Sequence, residues 1–251
     1  MPSPMAEQRE TRIWVLGLSV ALLAIVASVA GLGNQWAQDD MPLIWRNPAI
    51  HSLGNIPNFF GQPFWPKPFA QHLYRPLALT LFSVEWALGG GAPIVFRLVS
   101  YLLYAAAGMA VFSLARRCLP TIPAWFAAAC FAVHPVHVEA VAVAVNQGEL
   151  LVAVLSILAV VHYIDARRAG GPLSRSTILM LCGCYLTACL FKENAVVLPG
   201  LLLSAEAFLI TTPERLGDRI ARGRTLLLAL MLVAVSFFGV RTMVLGGSVG
   251  G

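Results

Sequence analysis

The sequence predicts an all-α fold, a polytopic bundle of transmembrane helices, and three features indicate it. Of its 251 residues, 58% are hydrophobic and only 12% are charged, and the mean hydropathy of +0.76 is too high for a soluble domain of this size. The apolar runs approach the roughly 20 residues that a helix needs to cross about 30 Å of hydrocarbon. Basic residues collect in alternate connections between these runs. We therefore expect residues 1–251 to form one membrane module.

Seven apolar runs predict about seven membrane crossings. They lie at residues 13–32, 93–114, 121–133, 149–164, 176–191, 195–210 and 225–240. Two interpretations stay open for the short third run, which is either a crossing of its own or one broken helix together with the half-apolar stretch 138–147. The first run has no convincing small-residue cleavage site and is followed by further runs, which favours a retained anchor over a cleaved signal peptide.

The positions of the basic residues predict a cytoplasmic N-terminus, because positively charged short connections tend to stay in the cytoplasm. Eleven of the 17 basic residues then fall on the cytoplasmic side: Arg9, Arg12, Arg116, Arg117, Arg167, Arg168, Arg175, Arg215, Arg219, Arg222 and Arg224. The net charge of +5 is thus a topology signal, and a nucleic-acid partner is not indicated. The membrane would be the bacterial inner membrane, or the endoplasmic reticulum in a eukaryote.

The largest connection on the opposite, exoplasmic side is a first loop of residues 33–92. It is rich in proline and glycine and carries aromatic residues suited to headgroup depth, namely Phe59, Phe60, Phe64, Trp65 and Phe69. Within it, the apolar stretch from Pro76 to Leu88 is too short for a span and contains Glu85. It predicts an interfacial or re-entrant helix.

Two adjacent acids follow the first span. Asp39 and Asp40 occupy a place where an ionised carboxylate can meet a reactant at the interface, and paired acids suit a general base with a supporting partner. Of the two, we expect Asp40 to be the base, because it lies nearer the body of the loop. The alternative is an ordinary solvated loop end or a helix cap.

Two basic motifs are candidates for binding a phosphate. Tyr74 and Arg75 precede Pro76, which can open a helix, and a helix start suits an anion. Lys192 and Glu193 follow a span and predict a mutual charge pair near membrane depth. The structural alternatives are a snorkelling arginine and a stabilising ion pair.

A polar segment interrupts the apolar sequence at His134, His137 and Glu139. Two histidines and a glutamate suit a divalent metal, but their spacing matches no zinc signature, and none of the five cysteines adds one. We expect instead a hydrogen-bonded helix cap that lines a polar cavity, and the sequence firmly implies no cofactor.

Four motifs together resemble the membrane portion of the transmembrane and tetratricopeptide-repeat protein O-mannosyltransferases and their bacterial relatives, which are GT-C glycosyltransferases. The motifs are Tyr74-Arg75-Pro76-Leu77, the segment from His134 to Val141, Gly148-Glu149-Leu150-Leu151, and Lys192-Glu193-Asn194-Ala195 with Pro199. Their order and spacing match from about residue 13 to residue 245. The combination is far more specific than any one motif.

The resemblance implies a polyprenyl-phosphate sugar donor, mannose-like, and transfer to the hydroxyl of a protein or glycan acceptor on the non-cytoplasmic face with inversion. It places an acidic motif in the first exoplasmic loop, where Asp39 and Asp40 lie. It also implies that cations such as Arg75 and Lys192 hold the lipid phosphate, and that Tyr74, His134, His137, Glu139 and Glu193 line the substrate site.

The chain departs from this pattern in two places. Gln147 stands where an arginine is expected before the fourth span, so one phosphate or acceptor contact is in doubt. The family's fold continues through more spans and into helical repeats, so we expect this GT-C-like N-terminal module to be incomplete at its glycine-rich C-terminus.

Two other classes of function remain open. A non-catalytic membrane subunit or scaffold, working with a partner subunit, would use the same charged groups only to stabilise a polar cavity. A secondary transporter would show inverted repeats with paired broken helices, and the sequence has no convincing internal symmetry of that kind.

Overall fold

The computed structural model describes residues 4–69 and 71–246, and this part of the chain contains eleven α-helices and no β-strand. The glycine-rich end beyond Gly246 lies outside the described residues. The helices are α1 (Pro4–Ser28), α2 (Ile56–Phe59), α3 (Pro76–Gly89), α4 (Pro93–Ala115), α5 (Thr121–Val133), α6 (Val138–Ala142), α7 (Gln147–Arg168), α8 (Arg175–Phe191), α9 (Leu198–Leu209), α10 (Leu216–Arg222) and α11 (Arg224–Val244). The predicted all-α fold is confirmed.

Each of the seven predicted apolar runs forms a helix, namely α1, α4, α5, α7, α8, α9 and α11. Four of these helices, α1, α4, α7 and α11, are long and apolar enough to cross a membrane, and a fifth span results if α5 and α6 count as one bent pair. Helices α8 and α9 are shorter, with 17 and 12 residues. The chain is a multi-pass membrane protein, and the number of seven crossings stays a prediction.

The bend between α5 and α6 has a local cause in the sequence. Pro135 lacks a backbone N–H and disfavours helical geometry at the preceding residue. His134 is accordingly extended, with φ −72° and ψ 127°, and the two helices meet at 47°. The structure shows a bent helix pair in this region, and its interpretation as one broken crossing stays a prediction.

The long helices pack in a row. Helices α1 and α5 pack on each other and on α4, α4 packs on α7, α7 packs on α8 and α9, and α8 packs on α11. The outer helices leave large apolar side chains uncovered; on α11, for example, Leu232 is 68% exposed and Met243 is 83% exposed. Such surfaces are stable in hydrocarbon, where no hydrophobic force drives them inward.

Antiparallel packing sorts the connections to two ends of the bundle. Residues 29–75, 134–146 and 192–197 meet at one end, which we call the loop end, and the starting turns of α3, α4 and α7 lie beneath them. The opposite end, the basic end, holds Glu206 between Arg167 and Arg219, and the Arg117–Asp165 ion pair. The candidate motifs gather at this end as expected, and its position on the non-cytoplasmic face stays a prediction.

Cysteine labelling tests the predicted orientation of these two ends. Asn58 at the loop end and Ala169 at the basic end are both exposed, so either position accepts a cysteine in a variant whose five native cysteines are replaced by alanine. In intact cells, an impermeant maleimide should label Asn58→Cys and not Ala169→Cys, because the arginine-rich end stays in the cytoplasm. Permeabilised cells, in which both should react, are the control, and the reverse pattern would contradict the orientation.

Candidate active site at the loop end

Asp40 is the anchor of the first loop, not a free acid. Its side chain is 0% exposed, with Oδ1 accepting the backbone N–H of Val145 at 3.0 Å and Oδ2 accepting that of Ala37 at 3.4 Å. The guanidinium of Arg97 lies 3.6 Å from Oδ2. The neighbouring Asp39 is exposed. Asp40 thus holds the loop against the α6–α7 connection, while Asp39 faces outward from it.

Arg97 is a buried charged residue at the candidate site that sequence reasoning missed. It lies in α4, is 1% exposed, and donates to the carbonyl of Gln35 at 2.8 Å and to that of Ala142. One guanidinium therefore joins the first loop to the segment before α7. The signal was available, because a single arginine inside an apolar run is costly and indicates a buried partner.

Asp39 and Asp40 differ in their exposure to water. Removal from water raises the pKa of Asp40, an effect opposed by the N–H groups of Val145 and Ala144 and by Arg97. A general base must lie within hydrogen-bonding reach of its substrate. The Asp40 carboxylate is buried with both oxygens hydrogen-bonded, whereas Asp39 is exposed. The geometry therefore favours Asp39 over Asp40 as the base, against our sequence-based preference, although the catalytic assignment itself stays a prediction.

Glu85 and Gln147 form a second buried polar pair beneath the loop. Gln147 is fully buried and donates to the Phe96 carbonyl and the Ser100 hydroxyl at 3.0 and 3.2 Å. Both oxygens of Glu85 and Oε1 of Gln147 are buried without a donor, and the two side chains lie within interaction range. Protonation of Glu85 lowers the free-energy cost of burying its carboxyl group without a donor.

The pKa of Glu85 agrees with that protonation. Burial raises it to about 8, with a further contribution from the nearby Asp40 carboxylate, while Gln147 opposes the rise. The departure at Gln147 therefore falls in the protein interior. Glu85 and Gln147 lie side by side at this position, and both side chains are buried.

Arg75 is held by Glu193 in a two-point ion pair. Its Nε and Nη2 donate to the two carboxylate oxygens at 2.8 and 2.5 Å, and its guanidinium lies 5.0 Å from the ring centroid of Phe64. Burial raises the pKa of Glu193, but Arg75 outweighs it and holds the pKa below its ordinary range. Arg75 keeps one N–H edge for another ligand.

The predicted ion pair between Lys192 and Glu193 is wrong. Lys192 pairs with Glu149 at the start of α7, while Glu193 turns to Arg75, because residues adjacent in an extended turn point in different directions. Lys192 has φ −158° and ψ 135°. The carboxylate of Glu149 is 44% exposed, so its ion pair with Lys192 exchanges with solvent more readily than the pair of Arg75 does.

Tyr74 lies inside the protein. It is 2% exposed, its hydroxyl donates to the carbonyl of Phe60 at 3.1 Å, and its ring lies 6.2 Å from that of Phe237. Burial raises its pKa. The tyrosine therefore packs the loop against α11, and its predicted contact with substrate is untested.

The histidine segment forms the cap that the sequence predicts. His134 Nδ1 accepts the backbone N–H of Val136 at 3.2 Å, and both His134 and His137 line a cavity of about 340 Å³. Glu139 is exposed and outside that lining. Among the residues that the structure describes, no three histidine, cysteine or acidic side chains gather as metal ligands.

Three groups of side chains thus meet at the loop end: the anchored acids, the paired cations and the histidine-lined cavity. A multi-pass helical bundle with paired acids in its first loop and cations at the same end agrees with the GT-C class. The chain matches the family model described as dolichyl-phosphate-mannose-protein mannosyltransferase over residues 75–238, which is more than half of its length. It belongs to that family.

The relatives support the same family and extend beyond this chain. Protein O-mannosyl-transferase TMTC3 of Mus musculus is 26% identical over 68% of the chain and 19% of its own length. Protein O-mannosyl-transferase Tmtc2 of Drosophila melanogaster is 33% identical over 69% and 20%, and TMTC1 of Mus musculus is 28% identical over 87% and 25%. The chain therefore spans a quarter or less of these relatives' lengths. No solved structure matches it.

The protonated state of Glu85 predicts a pH dependence of stability. Helix α3 is not among the candidate spans. A folded-state pKa of about 8, above the unfolded value, means that the native protein holds an extra proton between about pH 4.5 and pH 8, so stability falls as pH rises through this range. Glu85→Gln mimics the protonated acid and should be more stable than the wild type at pH 8.5, but nearly equal to it at pH 5.

Thermal unfolding in detergent at the two pH values measures this difference. The expected gain at pH 8.5 is on the order of a few kcal/mol, because each pKa unit between folded and unfolded states corresponds to about 1.4 kcal/mol. Glu139→Gln is the control, since Glu139 is exposed and should show no such dependence. A constant offset between Glu85→Gln and the wild type at both pH values would contradict a protonated Glu85.

Proposed function

We propose that the chain is the membrane module of a glycosyltransferase that moves mannose from a polyprenyl-phosphate donor to an acceptor hydroxyl. Transfer takes place at the loop end, on the non-cytoplasmic face, and inverts the sugar. The observation that carries the proposal is the family match over residues 75–238. It is combined with an exposed acid, Asp39, next to the buried Asp40–Arg97 pair, at the same end of the bundle as Arg75 and Lys192.

The chemical step needs a base, because an alcohol is a poor nucleophile at neutral pH. Asp39 takes the proton of the acceptor hydroxyl as the oxygen bonds to the anomeric carbon. The bond from that carbon to the phosphate oxygen breaks, and its electron pair leaves with the polyprenyl phosphate. Attack opposite the leaving phosphate inverts the configuration.

The leaving phosphate carries its growing charge at the membrane surface. Lys192 suits this charge, because its ion pair with the half-exposed Glu149 exchanges readily. Arg241, near the end of α11, donates to the carbonyl of His72 at 2.9 Å. Because His72 is three residues before Arg75, this contact brings another cation to the same part of the loop end. Arg75 contributes its remaining N–H edge and keeps its position through Glu193.

A non-catalytic subunit is the second candidate. The two-point pair of Arg75 with Glu193 favours it, because a cation already neutralised by a carboxylate stabilises a fold without binding substrate. Such a subunit would keep the loop end intact and show no dependence of activity on Asp39. The two readings differ in mutant kinetics.

Asp39→Asn should lower turnover by about 10² to 10⁴, the usual contribution of a general base, while donor binding persists. The measurement is transfer of radiolabelled mannose from a polyprenyl-phosphate donor by purified protein. Asp40→Asn is the comparison and should lower thermal stability as well, since it removes the charge facing Arg97. Normal turnover in both variants, shown to be folded and inserted, would exclude the base assignment and favour the subunit reading.

Lys192→Met should weaken donor binding by roughly 10-fold to 100-fold, because hydrogen bonds to charged groups contribute about 1.5–3 kcal/mol. Binding of polyprenyl-phosphate mannose in nanodiscs measures it directly. Glu149→Gln breaks the same ion pair but leaves the ammonium in place, so it should keep or strengthen binding. Loss of thermal stability in Lys192→Met with unchanged donor affinity would show that the lysine is structural.

A further inference from the structure

A cavity of about 340 Å³ opens between the outer ends of α1, α4 and α5. Ser28 and Asn34 line it from the end of α1 and the start of the first loop, Tyr101 lines it from α4, and His134 and His137 line it from the bend after α5. Its volume lies in the range of small-molecule sites and suits one or two amino-acid residues. Nothing in the mechanism above uses this space.

The lining of this cavity is mostly apolar and contains few polar groups. It contains no lysine, arginine, aspartate or glutamate, and its polar groups are hydroxyl, amide and imidazole. The ring of His137 packs against Phe131 at a centroid distance of 4.3 Å, and its nitrogens have no hydrogen-bond partner among the described residues. A neutral imidazole ring offers one donor and one acceptor to a bound group.

A glycine keeps part of this space open. A Cβ atom at Gly31 would lie 2.9 Å from the hydroxyl of Tyr101, so a larger residue here would require the phenol to shift. The tyrosine hydroxyl thereby remains at the cavity wall. Helix α4, rather than the loop, sets its position.

The cavity lies on the far side of the anchored acids from the cations. The row of helices places α1 and α5 at one edge, α4 and α7 in the middle, and α8 and α11 at the other edge. Arg97 binds the carbonyl of Ala142, a residue of the cavity wall, and that of Gln35, which follows the lining residue Asn34. The cavity and the Asp40 anchor therefore share one wall, while Lys192 and Arg75 lie over α7 and α8.

We propose that this cavity binds the acceptor, a serine or threonine side chain with its neighbouring residue in a peptide. The inference rests on the proposed function and adds the place where the acceptor, its second substrate, binds. A phosphate-linked donor needs cations, which lie on the other side of the acids. An uncharged hydroxyl on a short side chain fits a largely apolar cavity that lacks acidic, lysine and arginine side chains. The ring nitrogens of His137, which have no partner within the described residues, offer it a hydrogen-bonding group.

Filling the cavity tests the inference. Ala27 lines it and is exposed, so Ala27→Phe places a ring in the space without disturbing the core. Val26→Phe is the matched control, because Val26 is the preceding residue of α1, is 59% exposed and lies outside the lining. The acceptor is a synthetic threonine peptide that carries a benzoylphenylalanine beside the threonine. Both variants are checked for folding by size-exclusion chromatography and thermal unfolding.

Two readouts separate this inference from the proposed function. In transfer assays with saturating polyprenyl-phosphate mannose, Ala27→Phe should raise the peptide KM by about 10-fold or more and leave hydrolysis of the donor by water unchanged, whereas Val26→Phe should change neither. Photo-crosslinking needs no activity. In the wild type it should join the peptide to residues 27–34 or 131–142, and in Ala27→Phe this product should be lost.

Each result decides one of the two ideas. A wild type that neither transfers nor hydrolyses the donor contradicts the proposed function, and the crosslink still decides the acceptor site. Crosslinks elsewhere, or crosslinks unchanged by Ala27→Phe, overturn the inference even when transfer is normal. A raised donor KM with an unchanged peptide KM in Ala27→Phe would place the donor's sugar in the cavity and overturn it as well.

Discussion

The buried guanidinium of Arg97 is the constraint on which the loop end depends. A charge removed from water is stable only when paired and hydrogen-bonded, and Arg97 meets this need with Asp40 and with two backbone carbonyls from separate segments. Removing one partner of such a pair costs about 3–5 kcal/mol, because the other charge stays buried. If the first loop and the segment before α7 moved apart, the Arg97 charge would lose its partners or become exposed to solvent. These contacts therefore also fix the position of Asp39.

The loop end is divided by this constraint into a part with charged side chains and a part without them. Carboxylates and cations are matched in pairs around α7 and α8, while the edge formed by α1 and α5 carries a neutral cavity. A transfer reaction between an anionic lipid donor and an uncharged hydroxyl needs such a separation, because the donor phosphate and the acceptor must approach the anomeric carbon from opposite sides. The buried Glu85 adds no charge to this surface while protonated.

Sequence reasoning found the helices and the motifs but not the partners of the charges. Each apolar run became a helix, and the proline in the histidine segment bent the chain as expected. The pair of Lys192 with Glu193 was wrong, since adjacency along the chain does not imply contact when the backbone is extended. The preference for Asp40 rested on its place in the loop, whereas burial, which depends on Arg97 and Val145, turns that side chain inward. Arg97 itself was overlooked inside an apolar run.

The sequence by itself determined the fold class, the order of the helices, the end at which polar motifs gather and the family to which they point. These features depend on local composition and on periodic hydrophobicity, which any stretch of about 20 residues carries within itself. Only the tertiary structure decided which carboxylate neutralises which cation, which of two adjacent acids is exposed, and that a neutral cavity lies beside them. Such pairings join residues separated by 57 positions in Asp40 and Arg97 or by 118 positions in Arg75 and Glu193, and the free energy of burying a charge depends on all of its neighbours at once.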